Sequence, residues 1–333
     1  MLSIVIVNTF RPDLLHDCLS SVYQHLPPFP YEIIISSNGC KESDKEELLQ
    51  KYPQLRWIDT GYNAGFARGN NIGLRIAKGD VLLLLNPDTL AIDNSIQICY
   101  ERLRNSEYVA AGVQLLNYDR TPQISGSHFV KGGLNHLLPI PYWGGFIRWL
   151  GYTLKTKVPS VQEARDIEEV DWINGAFLMV KKEATDIAGL LDEDFFLYSE
   201  EIEWCSRLRK VGKLCVYGDL HVIHLEGATA DAMVKAKIRG YDNLYDKKGL
   251  QLMVSHHVRI RKQYGVFWFL FLLLNYTWGI LVFAIGTTVQ QLFCLQNPFK
   301  YWPKVGAYTK NVLKIWQLTP TIISNKPHFY KMF

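Results

Sequence analysis

An apolar run that stops abruptly constrains the fold of this chain more than any other feature of its sequence. Val81 is followed by four consecutive leucines and then by Asn86-Pro87-Asp88. A continuous apolar run of this length is typical of a strand buried on both faces of a parallel sheet, and the proline ends it. Open α/β sheets bind ligands at the carboxyl ends of such strands. Asp88 is therefore a candidate metal ligand, and the alternative is that it caps the next helix.

Strand-like and helix-like segments alternate through the first 110 residues or so, which predicts a doubly wound parallel sheet. The predicted order is a strand at 4–7, a helix at 13–23, a strand at 32–36, a helix at 42–51, a strand at 56–59, a helix at 66–77 and a strand at 81–85. Residues 117–165, rich in Gly, Pro and aromatic residues, are predicted to form a mobile, partly apolar loop. The ordered pattern resumes at Val170.

Composition places the chain among globular proteins, because 48% of its 333 residues are hydrophobic and 20% are charged. This length suits one large domain with an appendage. The six cysteines form no short CxxC pair, which argues against a zinc knuckle or a disulfide framework and fits a reducing cytosol. The first residues are strand-like and show no signal peptide, so we expect the catalytic part to stay cytosolic.

Charge divides the chain into two regions. Residues 247–333 contain eleven Lys and Arg and no Asp or Glu, whereas the first 246 residues carry 25 basic and 32 acidic side chains. A basic region can contact nucleic acid or an anionic lipid surface. The stretch 266–286 has no charge and is long enough to enter a bilayer, which favours a membrane over nucleic acid.

Basic residues flank this apolar stretch on both sides, at 259–262 before it and at 300 and 304 after it. Because positive flanks tend to remain cytosolic, the pattern favours a segment that lies on the membrane or re-enters it over a simple span. Asn275 and Thr277 dilute the run, so a packed soluble helix is the alternative.

A glycine-rich segment, Asn63 to Gly73, joins the third strand to the next helix. Small residues, free N–H groups at a helix start and the charge of Arg68 together suit a diphosphate. The alternative is a tight loop in which the glycines are needed only for the backbone conformation. The segment does not match GxGxxG and no P-loop is present, which counts against a soluble nucleotidyltransferase or a dinucleotide oxidoreductase on a similar sheet.

Acidic residues and a histidine in the second half complete the candidates for chemistry. Glu200 and Glu201 fall in the first turn of a predicted helix, where the helix dipole stabilises anions. Placed beside a crevice, such a carboxylate can take a proton from an incoming hydroxyl. His224 ends a predicted strand, and beside Asp88 it would complete a mixed nitrogen and oxygen metal site. A purely structural role is the alternative for each.

In this order along the chain, the motifs resemble glycosyltransferase family 2, and most of all its rhamnosyltransferase-type branch, which builds bacterial cell-surface polysaccharide. The resemblance covers roughly residues 1–250 and rests on Asn8-Thr9, Ser37-Asn38-Gly39, Asn63 to Gly73, Asn86-Pro87-Asp88, Trp172 to Phe177, Phe195 to Arg207 and His224. Similarity to this family implies a GT-A fold, an α/β domain with a mostly parallel central sheet. It also implies a nucleoside diphosphate sugar donor, a divalent metal (Mg²⁺ or Mn²⁺) and inversion at the anomeric carbon.

The resemblance also implies roles for single residues. Asn8, Ser37 and Asn38 would border the nucleotide base, and Asn63, Arg68 and Asn71 would face the ribose or the phosphates. Asn86 would contact the nucleotide sugar, and Asp88 would bind the metal with His224 near the metal or the diphosphate. Trp172, Gly175 and Ala176 would shape the sugar and acceptor pocket, and Glu201 would be the general base, with Glu200 as the alternative.

Two departures from the family pattern bear on these roles. The family usually has Asp where Ser37 stands, so the implied recognition of the base through a carboxylate is lost. It also usually has Glu-Asp where this chain has Glu200-Glu201, which lengthens the presumed base by one methylene. A misplacement of about 1 Å can cost about 100-fold in rate, so the pocket must compensate or activity is low.

The sequence thus predicts a GT-A transferase domain over residues 1–250 and a basic, apolar, helical membrane-associated region over 251–333. Within the first, 1–115 form the nucleotide-sugar half and 116–250 the acceptor half. We expect an enzyme that moves a sugar from dTDP-rhamnose or a UDP-sugar to a hydroxyl of a lipid-linked glycan at the cytosolic face of the cytoplasmic membrane. Its partners are the donor, the acceptor and the membrane, without nucleic acid, and self-association stays open. The alternative is a non-catalytic subunit of the same fold that binds the sugar nucleotide or glycan.

Overall fold

The computed structural model describes residues 1–9, 11–25, 28–156, 158–225 and 243–333. The packing divides these residues into two compact units. The sheet unit comprises Met1–His128, Pro159–Phe196 and the described residues from Glu200 to Leu225. The helical unit comprises Phe129–Val158, Leu197–Ser199 and the described residues from Asn243 to Phe333.

The sheet unit alternates strands and helices and then adds antiparallel strands. Its strands are β1 (Leu2–Asn8), β2 (Tyr31–Ser37), β3 (Arg56–Asp59), β4 (Val81–Leu85), β5 (Thr89–Ala91), β6 (Ala110–Leu116), β7 (Gly126–Ser127), β8 (Ser160–Val161), β9 (Ile167–Val170), β10 (Trp172–Ile173), β11 (Phe177–Lys181) and β12 (Leu214–His224). Its helices are α1 (Pro12–Gln24), α2 (Glu42–Lys51), α3 (Gly65–Ile76), α4 (Ser95–Arg104), α6 (Lys182–Ala188) and α7 (Glu200–Leu208).

Among the described residues, nine strands form the central sheet in the order β3-β2-β1-β4-β11-β6-β12-β5, with β9 also paired to β12. The strands β3, β2, β1 and β4 are mutually parallel, and β6 is parallel to β12. The antiparallel β11 lies between β4 and β6 and connects these two parallel groups. The predicted mostly parallel sheet is confirmed. A small antiparallel sheet has the order β10-β7-β8.

Burial explains why the first strands occupy the centre of the sheet. Every residue of β1 and β4 is buried, as expected for strands covered on both faces. Helix α3 packs closely on β1, because a Cβ at Gly69 or Gly73 would meet a Val7 or Val5 side chain at 2.8 or 2.5 Å. These glycines therefore serve close helix packing, which is the simpler of the two interpretations of the glycine-rich segment.

The helical unit contains a 3₁₀ helix at Lys131–Leu137 and four α-helices: α5 (Trp143–Thr153), α8 (Lys247–Tyr264), α9 (Val266–Phe293) and α10 (Trp302–Ser324). Buried tyrosines connect its elements, since the Tyr276 hydroxyl donates to the His136 carbonyl and the Tyr308 hydroxyl to the Tyr276 carbonyl, each at 2.8 Å. Within the described residues, α9 is the one helix long and apolar enough to cross a membrane, with a mean hydropathy of 2.0 and 33% of its most apolar window buried.

The predicted elements of the first 110 residues lie within one or two residues of the observed ones, and α2, β3 and β4 have the predicted bounds. Residues 117–165 differ from the prediction, because they hold two short strands, the 3₁₀ helix and α5 instead of a loop. The sequence also placed residues 129–158 with the transferase domain. The packing groups them with the carboxy-terminal helices, because Gly132 and Gly133 lie against the Trp268 and Ile260 side chains and Tyr142 lies against Gly286.

Candidate active site

Five strands of the sheet unit begin or end at the edge that carries the candidate side chains. The strands β1, β2 and β4 run in the same direction, and Asn8, Ser37 and Asn86 stand at or just after their carboxyl ends. The antiparallel β11 starts at this edge, because Phe177 pairs with Leu85. The strand β12 runs parallel to β6 and ends at the same edge with His224. This is the edge at which open α/β sheets bind ligands.

Asp88 and His224 are brought together by an antiparallel pairing. His224 pairs with Thr89 across β12 and β5, and the Leu225 N–H donates to the Asp88 carbonyl at 2.8 Å. The His224 Nε2 then lies 3.6 Å from the Asp88 Oδ1, and both side chains are buried. A strand follows Asp88 directly and Asn94 precedes α4, so the Asp88 carboxylate does not cap that helix.

Carboxylate oxygen and imidazole nitrogen suit a divalent metal, so the donor atoms at this pair fit the ion that the family implies. Among the described residues, no group of three or more His, Cys, Asp and Glu is placed to hold a metal ion. A site with two protein ligands matches the way Mg²⁺ is often held, by one or two side chains together with substrate phosphates and water.

Asn8 and Ser37 face each other across the β1–β2 pairing, and both are buried. The Ser37 hydroxyl has no hydrogen-bond partner among the described residues, and neither polar atom of the Asn8 amide has a nitrogen or oxygen partner there. Burial raises the pKa of the neighbouring Cys40 thiol, and Asn8 acts against that shift. Unsatisfied buried polar groups cost about 1–3 kcal/mol each. This pair therefore has unused hydrogen-bonding capacity at the ligand edge.

Asn38 and Asn63 shape the turn that leads into α3. The Asn38 amide donates to the Gly65 carbonyl at 2.9 Å and accepts from the Ala64 N–H at 3.2 Å. The Asn63 side chain accepts from the Gly65 N–H at 3.1 Å. Gly65 has a φ of 74°, and a Cβ there would meet the Phe196 carbonyl oxygen at 2.1 Å, so only glycine fits. These hydrogen bonds order the loop itself.

Asn71 and Arg68 hold the segment before α7. The Asn71 amide donates to the Leu191 carbonyl at 2.8 Å and to Glu193 at 3.0 Å, and it accepts from the Leu191 N–H at 3.1 Å. Arg68 donates to the Glu193 carbonyl at 3.0 Å. Burial raises the pKa of Glu193, but the bond from Asn71 and the ion pair with Arg75 leave it below its usual value. Asn71 is thus fully engaged within the protein.

A short chain of contacts connects the Asn86 turn to Glu201. The Asn86 N–H donates to the Ala176 carbonyl at 3.0 Å. A Cβ at the adjacent Gly175 would lie 3.4 Å from the Glu201 Cβ and 3.3 Å from the Phe66 ring. Trp172 is half-buried on β10, which packs against α7. The structure therefore brings Ala176, Gly175 and Glu201 to the edge that carries Asp88.

Glu200 and Glu201 differ in exposure. Glu200 is buried, with 2% of its surface accessible, whereas Glu201 is partly exposed and contacts Gly175. The two residues before α7, Tyr198 and Ser199, have φ values of 73° and 69°. Positive φ values are strained for such residues and concentrate at functional sites. Of the two carboxylates, Glu201 has the better access to a hydroxyl.

Two residues at this edge are not among those predicted from the sequence. Arg11 forms an ion pair with Asp13 that raises the pKa of its guanidinium, and Asp88 lies close enough to raise it further. Gln123 contacts the His224 imidazole at 2.9 Å. Arg11 stands two residues after the Asn8-Thr9 motif, which is a signal that could have indicated it. Nothing in the local pattern indicates Gln123, because its contact spans 101 residues.

Comparisons with known proteins bear on the family and the fold of the chain. The family model described as "Glycosyl transferase family 2" matches residues 3–159. The hexosyltransferase Agl10 of low-salt glycan biosynthesis from Haloferax volcanii is 26% identical over 66% of the chain. The N-acetylglucosaminyl-diphospho-decaprenol L-rhamnosyltransferase of Mycobacterium tuberculosis is 25% identical over 56% of the chain. The matches span 66% and 64% of the length of these two relatives.

A solved structure shows the same fold. The mannosyltransferase PcManGT of Pyrobaculum calidifontis, in complex with GDP-Man and Mn²⁺, superimposes with a TM-score of 0.53 at 12% identity. The superposition covers 95% of this chain and 87% of PcManGT. This likeness shows the fold of the chain, a GT-A fold, and residues 3–159 within it match the glycosyl transferase family 2 model.

Proposed function

We propose that this protein transfers a sugar from a nucleoside diphosphate sugar to a hydroxyl of a lipid-linked glycan, with inversion and with the help of a divalent metal, in cell-surface polysaccharide synthesis. The observation that carries the proposal is the convergence of Asp88, His224 and Glu201 at one sheet edge. Names of the relatives support the donor and the acceptor: one is an L-rhamnosyltransferase that acts on a diphospho-decaprenol glycan. We therefore place dTDP-rhamnose first among the donors, followed by UDP-sugars.

Asp88 and His224 would hold the metal, since the Asp88 Oδ1 and the His224 Nε2 lie 3.6 Å apart in a buried position. A divalent cation bound there neutralises the negative charge that develops on the departing diphosphate. The family likeness to a solved transferase that contains Mn²⁺ supports Mn²⁺ or Mg²⁺ in this role.

The remaining residues bind the donor and orient the reacting groups. Asn8 and Ser37 offer buried amide and hydroxyl groups that suit the nucleoside, and Arg11, whose guanidinium pKa is raised in part by the charge of Asp88, would attract the diphosphate. Asn86 and Ala176 connect the two sides of the pocket by a backbone hydrogen bond.

Asn38 and Asn63 order the loop before α3, and Asn71 and Arg68 order the segment before α7. Trp172 would line the sugar and acceptor pocket.

Glu201 would take the proton from the acceptor hydroxyl. Its partial exposure and its position beside Gly175 support this role. The hydroxyl oxygen then forms the new bond to the anomeric carbon while the bond to the diphosphate breaks on the opposite face, which inverts the centre. Glutamate in place of the usual aspartate is accommodated because Gly175 leaves room for the longer side chain.

The helical unit would dock the enzyme on the cytosolic face of the cytoplasmic membrane. Four apolar residues of α9, each more than half exposed, recur at helical spacing on one face: Leu274, Trp278, Leu281 and Ile285. No acidic residue accompanies the eleven basic residues of 247–333. An apolar helix face with basic flanks binds an anionic lipid surface. Docking brings the transferase to an acceptor that is confined to that surface.

The test is release of nucleoside diphosphate from a panel of dTDP-, UDP- and GDP-sugars with Mg²⁺ or Mn²⁺ and a lipid-linked acceptor extract. We expect release from one donor that depends on the acceptor and stops in EDTA. Donor binding without release from any donor would instead support the non-catalytic subunit. Release that is unchanged in EDTA would overturn the metal dependence.

A further inference from the structure

We propose that Gln123 is a positioning residue that fixes the tautomer of His224 and so directs the His224 Nε2 toward Asp88. The inference deepens the proposed function and rests on it for the metal that this pair would hold. The three side chains are all buried, with exposed fractions of 8% for Gln123, 5% for His224 and 3% for Asp88.

The orientation of the Gln123 amide is set by a backbone carbonyl. One of its terminal atoms lies 2.7 Å from the His224 carbonyl oxygen, which can only accept a hydrogen bond. That atom must therefore be the Nε2 nitrogen. The same nitrogen has a second acceptor, the Asn117 Oδ1, at 2.7 Å. A flipped amide would put its oxygen against both of these acceptors.

The His224 tautomer follows from this orientation. With its nitrogen engaged, Gln123 presents its Oε1 to the His224 Nδ1 at 2.9 Å. An amide oxygen only accepts, so the Nδ1 must carry the proton. In the neutral imidazole the Nε2 then bears a lone pair. That lone pair is directed at the Asp88 Oδ1, 3.6 Å away.

A nitrogen lone pair and a carboxylate oxygen that face each other in a buried place attract a cation between them. A metal-binding histidine commonly donates its other ring N–H to such an acceptor, which fixes the tautomer and orients the ring. Gln123 is itself held by the turn after β6, in which the Asn117 N–H donates to the Thr121 carbonyl at 2.8 Å. The hydrogen bonds thus connect this turn, through Gln123, to the pair at the sheet edge.

Two substitutions separate this role from a merely structural one. Gln123→Met removes the amide, whereas Gln123→Glu, as a neutral carboxyl, keeps an oxygen toward the Nδ1 and one donor toward the His224 carbonyl. Both variants lose the hydrogen bond to the Asn117 Oδ1, but only Gln123→Glu retains the group that sets the tautomer. Gln251→Met is the matched control, because Gln251 is a buried glutamine of the helical unit that also makes three hydrogen bonds.

The first readout is the His224 tautomer, measured by ¹⁵N NMR of histidine-labelled full-length protein without metal, with the signal assigned by its loss in His224→Asn. We expect a protonated Nδ1 in the wild type, Gln123→Glu and Gln251→Met, and a proton on the Nε2 in Gln123→Met. The second readout is Mn²⁺ affinity with dTDP or UDP, measured by electron paramagnetic resonance. Gln123→Met should bind Mn²⁺ about 10- to 100-fold more weakly, and the other two variants should bind it like the wild type.

Three results overturn the inference: Gln123→Met keeps the Nδ1 proton, it changes the tautomer without weakening Mn²⁺ binding, or Gln123→Glu loses as much affinity as Gln123→Met. Failure of the proposed function is distinguishable from these. If the wild type binds no Mn²⁺ with either nucleotide, the metal-dependent mechanism fails whatever Gln123→Met does. If Asp88→Asn loses Mn²⁺ and Gln123→Met does not, the inference alone fails.

Discussion

Each unit of this protein has one feature that costs free energy in water, and the two features differ. The sheet unit buries polar side chains, including Asn8, Ser37, Asp88 and His224, at the ends of strands whose other residues are apolar. The helical unit instead leaves large apolar side chains such as Trp278 and Ile285 exposed on its longest helix. Buried polar groups and exposed apolar groups both cost free energy in water unless something binds them. The difference indicates that the sheet unit binds a small polar ligand and that the helical unit binds an apolar surface.

Among changes at the polar sheet edge, Asp88→Asn should cause the largest loss of turnover. It keeps the shape of the side chain and removes the charge that would hold the metal, so we expect turnover to fall by at least about 1,000-fold. Steady-state release of nucleoside diphosphate measures this loss, and the thermal unfolding midpoint should change little. Asp93→Asn is the control, since Asp93 is exposed and has a φ of 55° that asparagine tolerates. Wild-type turnover in Asp88→Asn would remove Asp88 from the mechanism.

Glu201→Gln should have the next largest effect. Loss of a general base commonly costs about 100-fold or more in turnover, while the donor should still bind with wild-type affinity. Calorimetry with the donor and a turnover assay separate the two quantities. Glu200→Gln is the natural partner variant, because Glu200 is buried next to it in the chain. If Glu200→Gln lowers turnover more than Glu201→Gln does, the general base is Glu200 and not Glu201.

Membrane binding by the apolar face of α9 is tested by a fourfold change to serine, at Leu274, Trp278, Leu281 and Ile285. Each large side chain contributes about 1.5–3 kcal/mol when fully buried, so the full chain should move from membrane-bound to mostly free. Flotation with vesicles of phosphatidylcholine and phosphatidylglycerol measures the bound fraction. Ile187→Ser is the control, because Ile187 is 74% exposed on the sheet unit. Unchanged flotation of the fourfold variant would contradict membrane docking through α9.

Gly175→Ala should have a smaller effect on turnover. The new methyl group would lie 3.3 Å from the Phe66 ring and 3.4 Å from the Glu201 Cβ, so the ring must shift by a few tenths of an ångström and the methyl group fills the space beside Glu201. We expect about a 10-fold loss, less than the cost of a 1 Å misplacement. Gly145→Ala is the matched change, because nothing lies within 4 Å of its Cβ position. Equal turnover of both variants would show that this contact does not position the base.

Asn71→Ala should affect stability more than donor binding. The change removes three hydrogen bonds, two of them buried, and we expect the free energy of unfolding to fall by about 2–3 kcal/mol. Urea unfolding measures the loss. The KM for the donor should stay near the wild-type value, since the Asn71 amide is engaged by Leu191 and Glu193. A large rise in KM at unchanged stability would restore the donor-binding role that the family resemblance implies for Asn71.

The parts of the fold that depend on local pattern were predictable from the sequence. The strand from Val81 to Leu85 and the turn after it follow from four leucines and a proline, and the observed bounds agree. Residues 117–165 were not predictable in this way. Their aromatic and glycine residues look irregular in sequence, but Gly132 and Gly133 fit tightly against Trp268 and Ile260, more than 120 residues away. Long-range packing decides their structure.

The candidate site shows the same division. Asp88 and His224 are recognisable in sequence because each follows or ends an apolar strand, and the pairing of β5 with β12 brings them together. Asn71 looks like a ligand-binding residue in sequence, but its partners at Leu191 and Glu193 are visible only in the folded chain. Gln123 lies in an unremarkable stretch, and its contact with His224 depends on the packing of a turn against a strand end.

The most direct test of the account is a crystal structure of the protein with Mn²⁺ and dTDP, with anomalous scattering used to locate the manganese. We expect one anomalous peak at coordination distance from the Asp88 carboxylate and the His224 Nε2, and diphosphate oxygens as the other ligands of the manganese. We also expect that Gln123 donates to the His224 carbonyl while it accepts from the Nδ1. A nucleotide bound at the sheet edge with its manganese held by other residues, or without manganese, would contradict the central claim.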